Sequence, residues 1–396
     1  MRNFAATAML IALAATPAAA RTISVSPSGN AQEALQEALL DAKPGDVVAI
    51  AAGRYDLTDG LSLDVSGVTV RGAGPDKTVL SFKGQQGAGE GLLVTSDDVV
   101  LRGFAIEDSK GDGIKSKGAD RIVYKDIRVE WTGGPKETNG AYGIYPVESK
   151  SVLVDGGIVR GASDAGIYVG QSEDIIVRNS IVEQNVAGIE IENSRHADVY
   201  GNTATRNTGG ILVFDLPNLP HGNGGDVRVY GNTVVDNDTP NFAPKGNIVA
   251  QVPKGTGVLV MANDGVFITD NALAKNATAN VMIVSYRNPY QDAKYNPLPR
   301  NVVVAKNTHG PAGFAPGLPG GEQLAAAMGG AIPAVLWDGT GDANSLTVSD
   351  SKVLSLGLKA GEAPTNARPT PVDLQRTPAA LRAPVVLPAA MEAAAK

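Results

Sequence analysis

A short phrase of alternating apolar and polar residues recurs along the chain. It has the form Gly-Ile-x-Val and occurs as YGIYPV, AGIYVG, AGIEIE, GGILVF and TGVLVM. The glycines of the first four copies (Gly143, Gly166, Gly188 and Gly210) lie 22 or 23 residues apart, and Gly257 follows after 47 residues. Alternation in steps of two is typical of a β-strand with one buried face. A strand that returns about every 22 residues predicts the stacked coils of a β-solenoid.

Asparagines mark the corners of these coils. Three pairs lie five residues apart: Asn202 and Asn207, Asn232 and Asn237, and Asn271 and Asn276. Asparagine tolerates left-handed backbone, and its amide can bond to the neighbouring coil. A leucine-rich repeat has a similar period, but its Leu-x-x-Leu-x-Leu frame is missing from the sequence. We therefore predict about ten or eleven coils over residues 46–308.

A helix is predicted ahead of the first strand. Ala31, Leu35, Ala38 and Leu39 form one apolar stripe, and Asn30 stands where an N-cap residue would. The first coil of a solenoid would expose its core without a cover. We expect this helix, at residues 30–43, to cap the solenoid.

Both ends of the chain differ from the repeat. Residues 1–20 combine Arg2, an apolar run and a final Ala-Ala-Ala, which is the order of a cleaved secretory signal peptide. From residue 311 the chain is rich in Gly, Pro and Ala and should form a C-terminal cap and a tail. The tail either drapes along the solenoid or is disordered, and its few apolar anchors favour disorder. We expect a signal peptide at 1–20, a β-helix domain at 21–310 and a cap and tail at 311–396. The mature protein should be periplasmic or secreted.

Composition excludes several kinds of site. The chain has 34 basic and 41 acidic residues, a net charge of −7, which argues against nucleic-acid binding. It has no cysteine, which excludes disulfides and thiolate metal sites, and its three histidines leave little room for a histidine-rich one. No run after the signal approaches the ~20 apolar residues of a membrane-spanning helix.

The segment AKPGDVVAIAAGRY resembles the capped first coil of right-handed parallel β-helix proteins of the pectin-lyase-like superfamily. The Gly-Ile-x-Val copies are similar to those of bacterial secreted β-helix repeat proteins. The resemblance implies an all-β fold, a right-handed parallel β-helix with an N-terminal capping helix. That superfamily contains polysaccharide lyases, uronate epimerases, glycosidases and non-catalytic binders, so it implies a carbohydrate-active protein without choosing among these. It also suggests a secreted c-type-cytochrome-like protein as a partner.

Strand alternation assigns side chains to two faces. Five residues of the repeat should point inward and stack: Ile144, Ile167, Ile189, Ile211 and Val258. Another set should point outward and share a surface patch: Lys115, Tyr145, Tyr168, Gln171, Glu190, Glu192, Asn193 and Asp215. Loops at 131–142 and 216–225 would rim this patch.

Carboxylates and tyrosines on one patch suit carbohydrate chemistry. In a glycosidase, Glu190 would pair with Glu192 or Asp215 as acid and base or nucleophile. In a lyase or epimerase, a tyrosine, Lys115 or His196 would remove the proton beside a uronate carboxylate. The candidate catalytic residues are Glu190, Glu192, Asp215 and Tyr168.

Further residues are candidates for substrate binding. They are Tyr145, Gln171, Asn193, Lys115, Trp131, His196 and Arg287. Structural roles compete with these: a solvated strand face for the glutamates, a corner ladder for Asn193 and a stacked aromatic ladder for the tyrosines. No cofactor is required, although Ca²⁺ held by Glu190, Glu192 and Asp215 would suit oxygen ligands. The alternative function is a non-catalytic glycan-binding or scaffold protein.

Overall fold

The computed structural model describes residues 20–87 and 89–396. Over these ranges the chain winds through three long sheets, two of 12 strands and one of ten. Within each sheet, neighbouring strands come from successive coils and pair in parallel, except at the C-terminal edge. The predicted signal peptide lies outside the described residues apart from Ala20.

Sheet 1 begins next to the N-terminus. Its strands are Thr22–Val25, Val47–Ile50, Thr69–Arg71, Val100–Arg102, Ile122–Lys125, Lys150–Asp155, Glu173–Arg178, Arg195–Tyr200, Gly225–Tyr230, Asp264–Thr269, Val302–Ala305 and Leu346–Val348.

Sheet 2 carries the Gly-Ile-x-Val copies. Its strands are Leu61–Leu63, Leu92–Val94, Ile114–Lys117, Tyr142–Val147, Ala165–Gly170, Ala187–Glu192, Gly209–Phe214, Thr256–Met261, Ala279–Val284, Val335–Trp337, Val353–Ser355 and Thr370–Val372. The last strand is antiparallel to its neighbour.

Sheet 3 closes the coil. Its strands are Gly53–Asp56, Thr78–Ser81, Ala105–Glu107, Arg128–Glu130, Ile158–Arg160, Ile181–Glu183, Thr203–Thr205, Thr233–Val235, Ala272–Ala274 and Thr308–His309. The helices are α1 (Ala31–Asp41), α2 (Gly321–Ala327) and α3 (Ala389–Ala394), with 3₁₀ turns at Ile248–Gln251, Ala343–Ser345 and Pro364–Asn366.

The inward column is confirmed. Ile144, Ile167, Ile189, Ile211 and Val258 are in register on successive strands of sheet 2, and each is 0% exposed. The glycine before each of them allows the coils to stack closely. A Cβ added to Gly188, for example, would lie 2.5 Å from the carbonyl oxygen of Gly210 on the next coil. This contact explains why the phrase repeats with its glycine.

The asparagine ladders are also confirmed. The Nδ2 of Asn202 donates to the Oδ1 of Asn232 at 3.0 Å, and Asn232 donates in turn to Asn271 at 3.0 Å. A second ladder runs through Asn207 and Asn237 at 3.1 Å. Each amide therefore satisfies polar groups that are buried at a corner between two sheets.

The two ends of the solenoid differ in how well they were predicted. The stripe residues of α1 (Ala31, Leu35, Ala38 and Leu39) are all buried against the first coils, as expected of a cap. The coils continue past the predicted boundary at residue 310, because sheets 1 and 2 both gain strands between 335 and 355. No helix in the described part of the chain is long and apolar enough to span a membrane.

The C-terminal tail is packed, so the expectation of disorder is wrong. Residues 376–396 run back along the outer face of sheet 1, where Leu387 and Met391 pack against Val123, Leu153 and Ile176. Charged groups anchor the tail as well: both terminal nitrogens of Arg178 donate to the Glu392 carboxylate, at 3.1 and 2.8 Å. This packing could not be predicted from the sequence, because the apolar anchors are widely spaced among alanines and prolines.

Candidate active site

The outer face of sheet 2 changes from polar to apolar along the solenoid. The strand register places Lys115, Tyr145, Tyr168 and Glu190 in one outward column, as predicted. The column continues through Leu212, Leu259 and Met282. Glu190 thus stands at the boundary between a polar and an apolar half of this face.

A loop covers this boundary, so the predicted surface patch is not exposed. We call residues 240–254 the roof loop; Ile248, Val249 and Val252 belong to the same apolar cluster as Tyr168 and Leu212. Under the roof loop Glu190 is 1% exposed and Tyr168 4% exposed. The predicted face was right, and the predicted solvent exposure was wrong.

Three carboxyls lie under the roof loop, and we call Asp164, Glu190 and Glu192 the acid cluster. The hydroxyl of Tyr168 donates to Oε1 of Glu192 at 2.7 Å, and Nδ2 of Asn247 in the roof loop donates to Oδ2 of Asp164 at 2.9 Å. Oε2 of Glu190 is buried and has no hydrogen-bond partner among the described residues. Such an atom is costly to bury when ionised.

Burial and mutual repulsion hold protons on these carboxyls. The pKa of Glu190 is raised well above its usual value, first by burial and then by the charges of Asp164 and Glu192. Burial also raises the pKa of Glu192, while hydrogen bonds from Tyr168 and Glu190 oppose that rise. The pKa of Asp164 is raised to about 7 by burial and by Glu192. Burial therefore favours the protonated form of both glutamates.

The raised pKa values bear on the predicted division of roles. Glu190 and Glu192 lie two residues apart on one strand, and burial favours the protonated form of both. Neither glutamate is thereby suited to act as a base near neutral pH. Asp164, whose pKa is about 7 and whose charge acts on Glu190, is the better candidate for a base.

Three tyrosines stand at the polar side of the acid cluster. The rings of Tyr142, Tyr145 and Tyr168 have centroids 4.5 to 4.9 Å apart, in tilted or edge-on pairs. Nζ of Lys115 lies 5.1 Å from the centroid of Tyr145 and 3.3 Å from a carboxylate oxygen of Glu90. The tyrosines form a packed cluster whose half-buried members are Tyr142 and Tyr145.

The side chains of Asp215 and Asn193 bond to the backbone of the loop at 216–225. Asp215 is 0% exposed and its Oδ1 accepts from the Gly224 amide at 3.1 Å. Burial raises the pKa of Asp215 to about 6. Both ends of the Asn193 amide bond to the backbone of Leu216 at 2.8 Å, which is the corner role weighed for it from the sequence.

Gln171 lies in a polar cleft at the corner between sheets 1 and 2. Its Oε1 is buried and accepts no hydrogen bond from the described residues. Glu148, Lys150, Asn193, Arg195 and His221 line the same cleft, which has a volume of about 310 Å³. The predicted loop at 216–225 thus does reach the cleft, through His221.

Three predicted binding residues lie away from the acid cluster. Trp131 is 5% exposed, and its indole donates to the Ser109 carbonyl at 2.7 Å, so it belongs to the core. His196 lies on a strand of sheet 1 and bonds to Asp174 at 2.7 Å. Arg287 pairs with the buried Asp338 at 3.0 Å, beside the apolar half of sheet 2. The structure thus separates these three residues from the acid cluster, and their role in substrate binding stays a prediction.

A calcium site at Glu190, Glu192 and Asp215 finds no support. Within residues 20–87 and 89–396, no group of three or more acidic or histidine side chains is arranged to hold a metal ion.

Residues 64–234 match the family model described as "right handed beta helix region". The three parallel sheets have the architecture that this match implies. The fold of the described chain is a right-handed parallel β-helix. The match agrees with the resemblance to the pectin-lyase-like superfamily seen in the first coil.

Solved structures with the same β-helix fold include three carbohydrate-active enzymes. The mannuronan C-5 epimerase AlgE4 A-module of Azotobacter vinelandii is 15% identical, with a TM-score of 0.51 over 81% of this chain and 89% of that one. DFA-IIIase of Arthrobacter chlorophenolicus is 14% identical, with a TM-score of 0.50 over 88% and 99%. A GH87 α-1,3-glucanase of Streptomyces thermodiastaticus is 17% identical, with a TM-score of 0.51 over 85% and 53%. No curated protein matches the sequence significantly.

Sequence reasoning missed four residues of this β-helix site. Asp112 and Asp164 lie in turns just before strands of sheet 2, Tyr142 is the first residue of such a strand, and Asn247 comes from the roof loop. Burial raises the pKa of Asp112 to about 6. The available signal was an aspartate or tyrosine one or two residues before the repeated glycine. Aspartate is also common in turns, so this signal does not distinguish a site from a turn.

Proposed function

We propose that this β-helix hydrolyses a glycosidic bond of a neutral carbohydrate at the acid cluster. The observation that carries the proposal is the buried Glu190, which keeps its proton beside a second carboxyl and a third with a pKa of about 7. General acids with raised pKa values are what glycoside cleavage near neutral pH requires. The glucanase and the DFA-IIIase with the same fold act on carbohydrates by their names, which supports this class of substrate.

Each carboxyl of the acid cluster has a role in this proposal. Glu190 gives its proton to the glycosidic oxygen as the bond to the sugar carbon breaks. Glu192, held by Tyr168, orients Glu190 and stabilises its proton until then. Asp164 accepts the proton of the attacking water, whose hydroxyl bonds to the sugar carbon. The Asn247 amide fixes the direction of Asp164.

Electrostatics favours a neutral sugar over a uronate. A lyase or epimerase must neutralise the substrate carboxylate with a cation. Asp112, Asp164, Glu190 and Glu192 make this site acidic, and Lys115 is already paired with Glu90. A uronate carboxylate would find acidic side chains and a lysine that is already paired, so we favour glycoside hydrolysis over β-elimination or epimerisation.

Substrate access requires the roof loop to move. Glu190 is 1% exposed, and the roof loop contacts the acid cluster through Asn247. Loops that close over a site exclude water and complete the catalytic groups. We infer that the roof loop opens to admit the sugar and closes over it.

Replacing Glu190 tests the proposal directly. On neutral oligosaccharides that the native protein cleaves, Glu190→Gln should lower kcat by roughly 10²–10⁴-fold, the usual loss for a general acid. Its thermal midpoint should not fall, because the amide keeps the shape and removes a buried ionisable group. Glu173→Gln is the matched control, since Glu173 is an exposed partner of Lys150 on sheet 1. Full activity in Glu190→Gln would refute the role.

A non-catalytic glycan-binding role is the second candidate, and Gln171 favours it. Its unpartnered Oε1 in the polar corner cleft could accept a hydrogen bond from a sugar hydroxyl. Glycan binding that survives Glu190→Gln and is lost in Gln171→Leu, with no turnover by the native protein, would support this role instead.

We also propose a periplasmic or secreted location, which rests on the order of residues 1–20. Fractionation of cells that express the full chain, with mass spectrometry of its N-terminus, tests this. Co-purification from the same periplasmic fraction would test the suggested c-type-cytochrome-like partner.

A further inference from the structure

An apolar pocket of about 160 Å³ adjoins the acid cluster on the outer face of sheet 2. Its floor is made by outward side chains of three successive strands, among them Phe214, Leu259, Met261, Met282 and Val284. Ile248 and Val252 of the roof loop and Leu318 and Leu356 of the C-terminal region form its other walls.

The pocket and the acid cluster are neighbours by two independent contacts. Phe214 of the pocket is paired in register with Glu192 on the adjacent strand, and adjacent strands lie ~4.8 Å apart. The roof loop joins them as well: Asn247 bonds to Asp164, and the next residue, Ile248, lines the pocket. One group bound at Glu190 and another in the pocket could therefore belong to one molecule.

The chemistry of the pocket does not suit a sugar ring. Its polar end contains Ser285, Arg287 and Asp338, where one carboxylate oxygen is fully engaged: Oδ2 of Asp338 accepts from the Ser285 amide at 2.7 Å, from its hydroxyl at 2.8 Å and from Arg287 at 3.0 Å. The rest of the lining is mostly aliphatic, aromatic or thioether. Sugar hydroxyls would lose their hydrogen bonds to water there without replacement.

The size of the pocket fits one six-carbon apolar group. A cavity of about 150 Å³ lined by apolar side chains is enough to hold benzene. Two methionines in the floor can adjust to an aryl ring or to a short acyl chain, because their side chains are flexible and polarisable.

We propose that this pocket binds an aryl or short acyl group carried by the substrate next to the bond broken at Glu190. The inference rests on the proposed function and narrows it to glycosides that bear an apolar substituent. Cleavage of such a glycoside breaks the bond between the sugar carbon and the alcohol oxygen. The alcohol leaves with the proton of Glu190, and water supplies the hydroxyl of the sugar product.

Binding of an apolar group to the pocket is tested first, in an experiment that does not depend on catalysis. Benzyl alcohol is added to the full chain, and its binding is followed by saturation-transfer NMR and by calorimetry. We expect binding to the native protein that is lost in Val284→Phe, where the added ring occupies the pocket, and kept in Leu40→Phe, since Leu40 is 58% exposed on α1. A second variant, Met282→Ala, should fold with a larger pocket and bind a naphthyl alcohol more tightly. No binding of benzyl alcohol to the native protein would overturn the proposal.

The substrate class is tested by turnover. Benzyl and methyl glycosides of each neutral sugar are compared, because their leaving alcohols have similar acidity. Burial of the ring should raise kcat/KM for the benzyl glycoside by roughly 50-fold, and Val284→Phe should remove that preference. Equal kcat/KM values in a protein that binds benzyl alcohol would overturn the assignment to the substrate. Binding of benzyl alcohol with no turnover of any glycoside would instead refute the proposed hydrolysis, while the pocket would still be shown to bind an apolar group.

Discussion

A buried carboxyl that keeps its proton makes the stability of a protein depend on pH. Asp164 has its pKa raised to about 7 in the folded chain by burial and by Glu192, whereas an unfolded aspartate titrates near 4. Between these values the unfolded chain binds fewer protons than the folded one, so stability falls as pH rises. Glu190, with its pKa also raised, acts in the same direction.

We therefore expect the thermal midpoint to be higher at pH 5 than at pH 8. Asp164→Asn should reduce this difference, because its amide does not titrate. Asp76→Asn, at a side chain that is 88% exposed, should leave the difference unchanged. Differential scanning calorimetry at several pH values measures all three proteins. An unchanged pH dependence in Asp164→Asn would contradict the proton assigned to this carboxyl.

Single residues also show where prediction from the sequence stops. Asp164 stands in a turn, where aspartate is common, and its sequence neighbours gave no reason to expect burial. What buries it is the roof loop, which lies 76 or more residues further along the chain. Trp131 is the opposite case. It stands next to a predicted loop, where we expected it to bind substrate, but its own coil buries it.

At the scale of elements, the repeat was predictable because a strand has a period of two. The inward stacking of Ile167 and Ile189 and the outward register of Tyr168 and Glu190 follow from that period alone. The insertions obey no period, so their course over sheet 2 could not be read from the sequence. The solenoid frame was therefore predictable, and the cover that turns its outer face into a site was not.

The roof loop should be only weakly fixed at its polar end. Asn247→Ala removes the hydrogen bond to Asp164, while the apolar anchors Val249 and Val252 remain buried. A hydrogen bond to a neutral acceptor contributes ~0.5–1.5 kcal/mol, so the variant should open more often than the native loop. Trypsin should then cut faster after the exposed Lys245.

Limited proteolysis with mass spectrometry measures this rate. Asn366→Ala, an exposed position in the C-terminal region, is the control and should be cut at the native rate. If Asn247→Ala is also cut at the native rate, the roof loop does not depend on its contact with the acid cluster.

At the scale of the molecule, apolar outer faces on a solenoid have to be covered. Sheet 2 is covered by the roof loop and by residues of the C-terminal region such as Leu318, and sheet 1 by the tail. The tail also gives partners to groups of several coils: Arg102 donates to the Ala394 carbonyl at 3.1 Å, and Arg228 to that of Arg382 at 3.1 Å. The tail thus joins coils that are distant along the solenoid.

Two adjacent residues of the tail test this role with opposite expectations. Leu387 is 5% exposed against sheet 1, and Val386 is 84% exposed. Leu387→Asp would bury an unpaired charge, so we expect the free energy of unfolding to fall by on the order of 3 kcal/mol and the tail to detach. Detachment uncovers Leu153 and Ile176, and the exposed apolar stripe should bind a hydrophobic dye and promote self-association. Val386→Asp should change stability by less than about 0.5 kcal/mol and stay in the native oligomeric state. Chemical denaturation and light scattering after size exclusion distinguish the two, and equal behaviour of the variants would show that the tail does not hold the coils together.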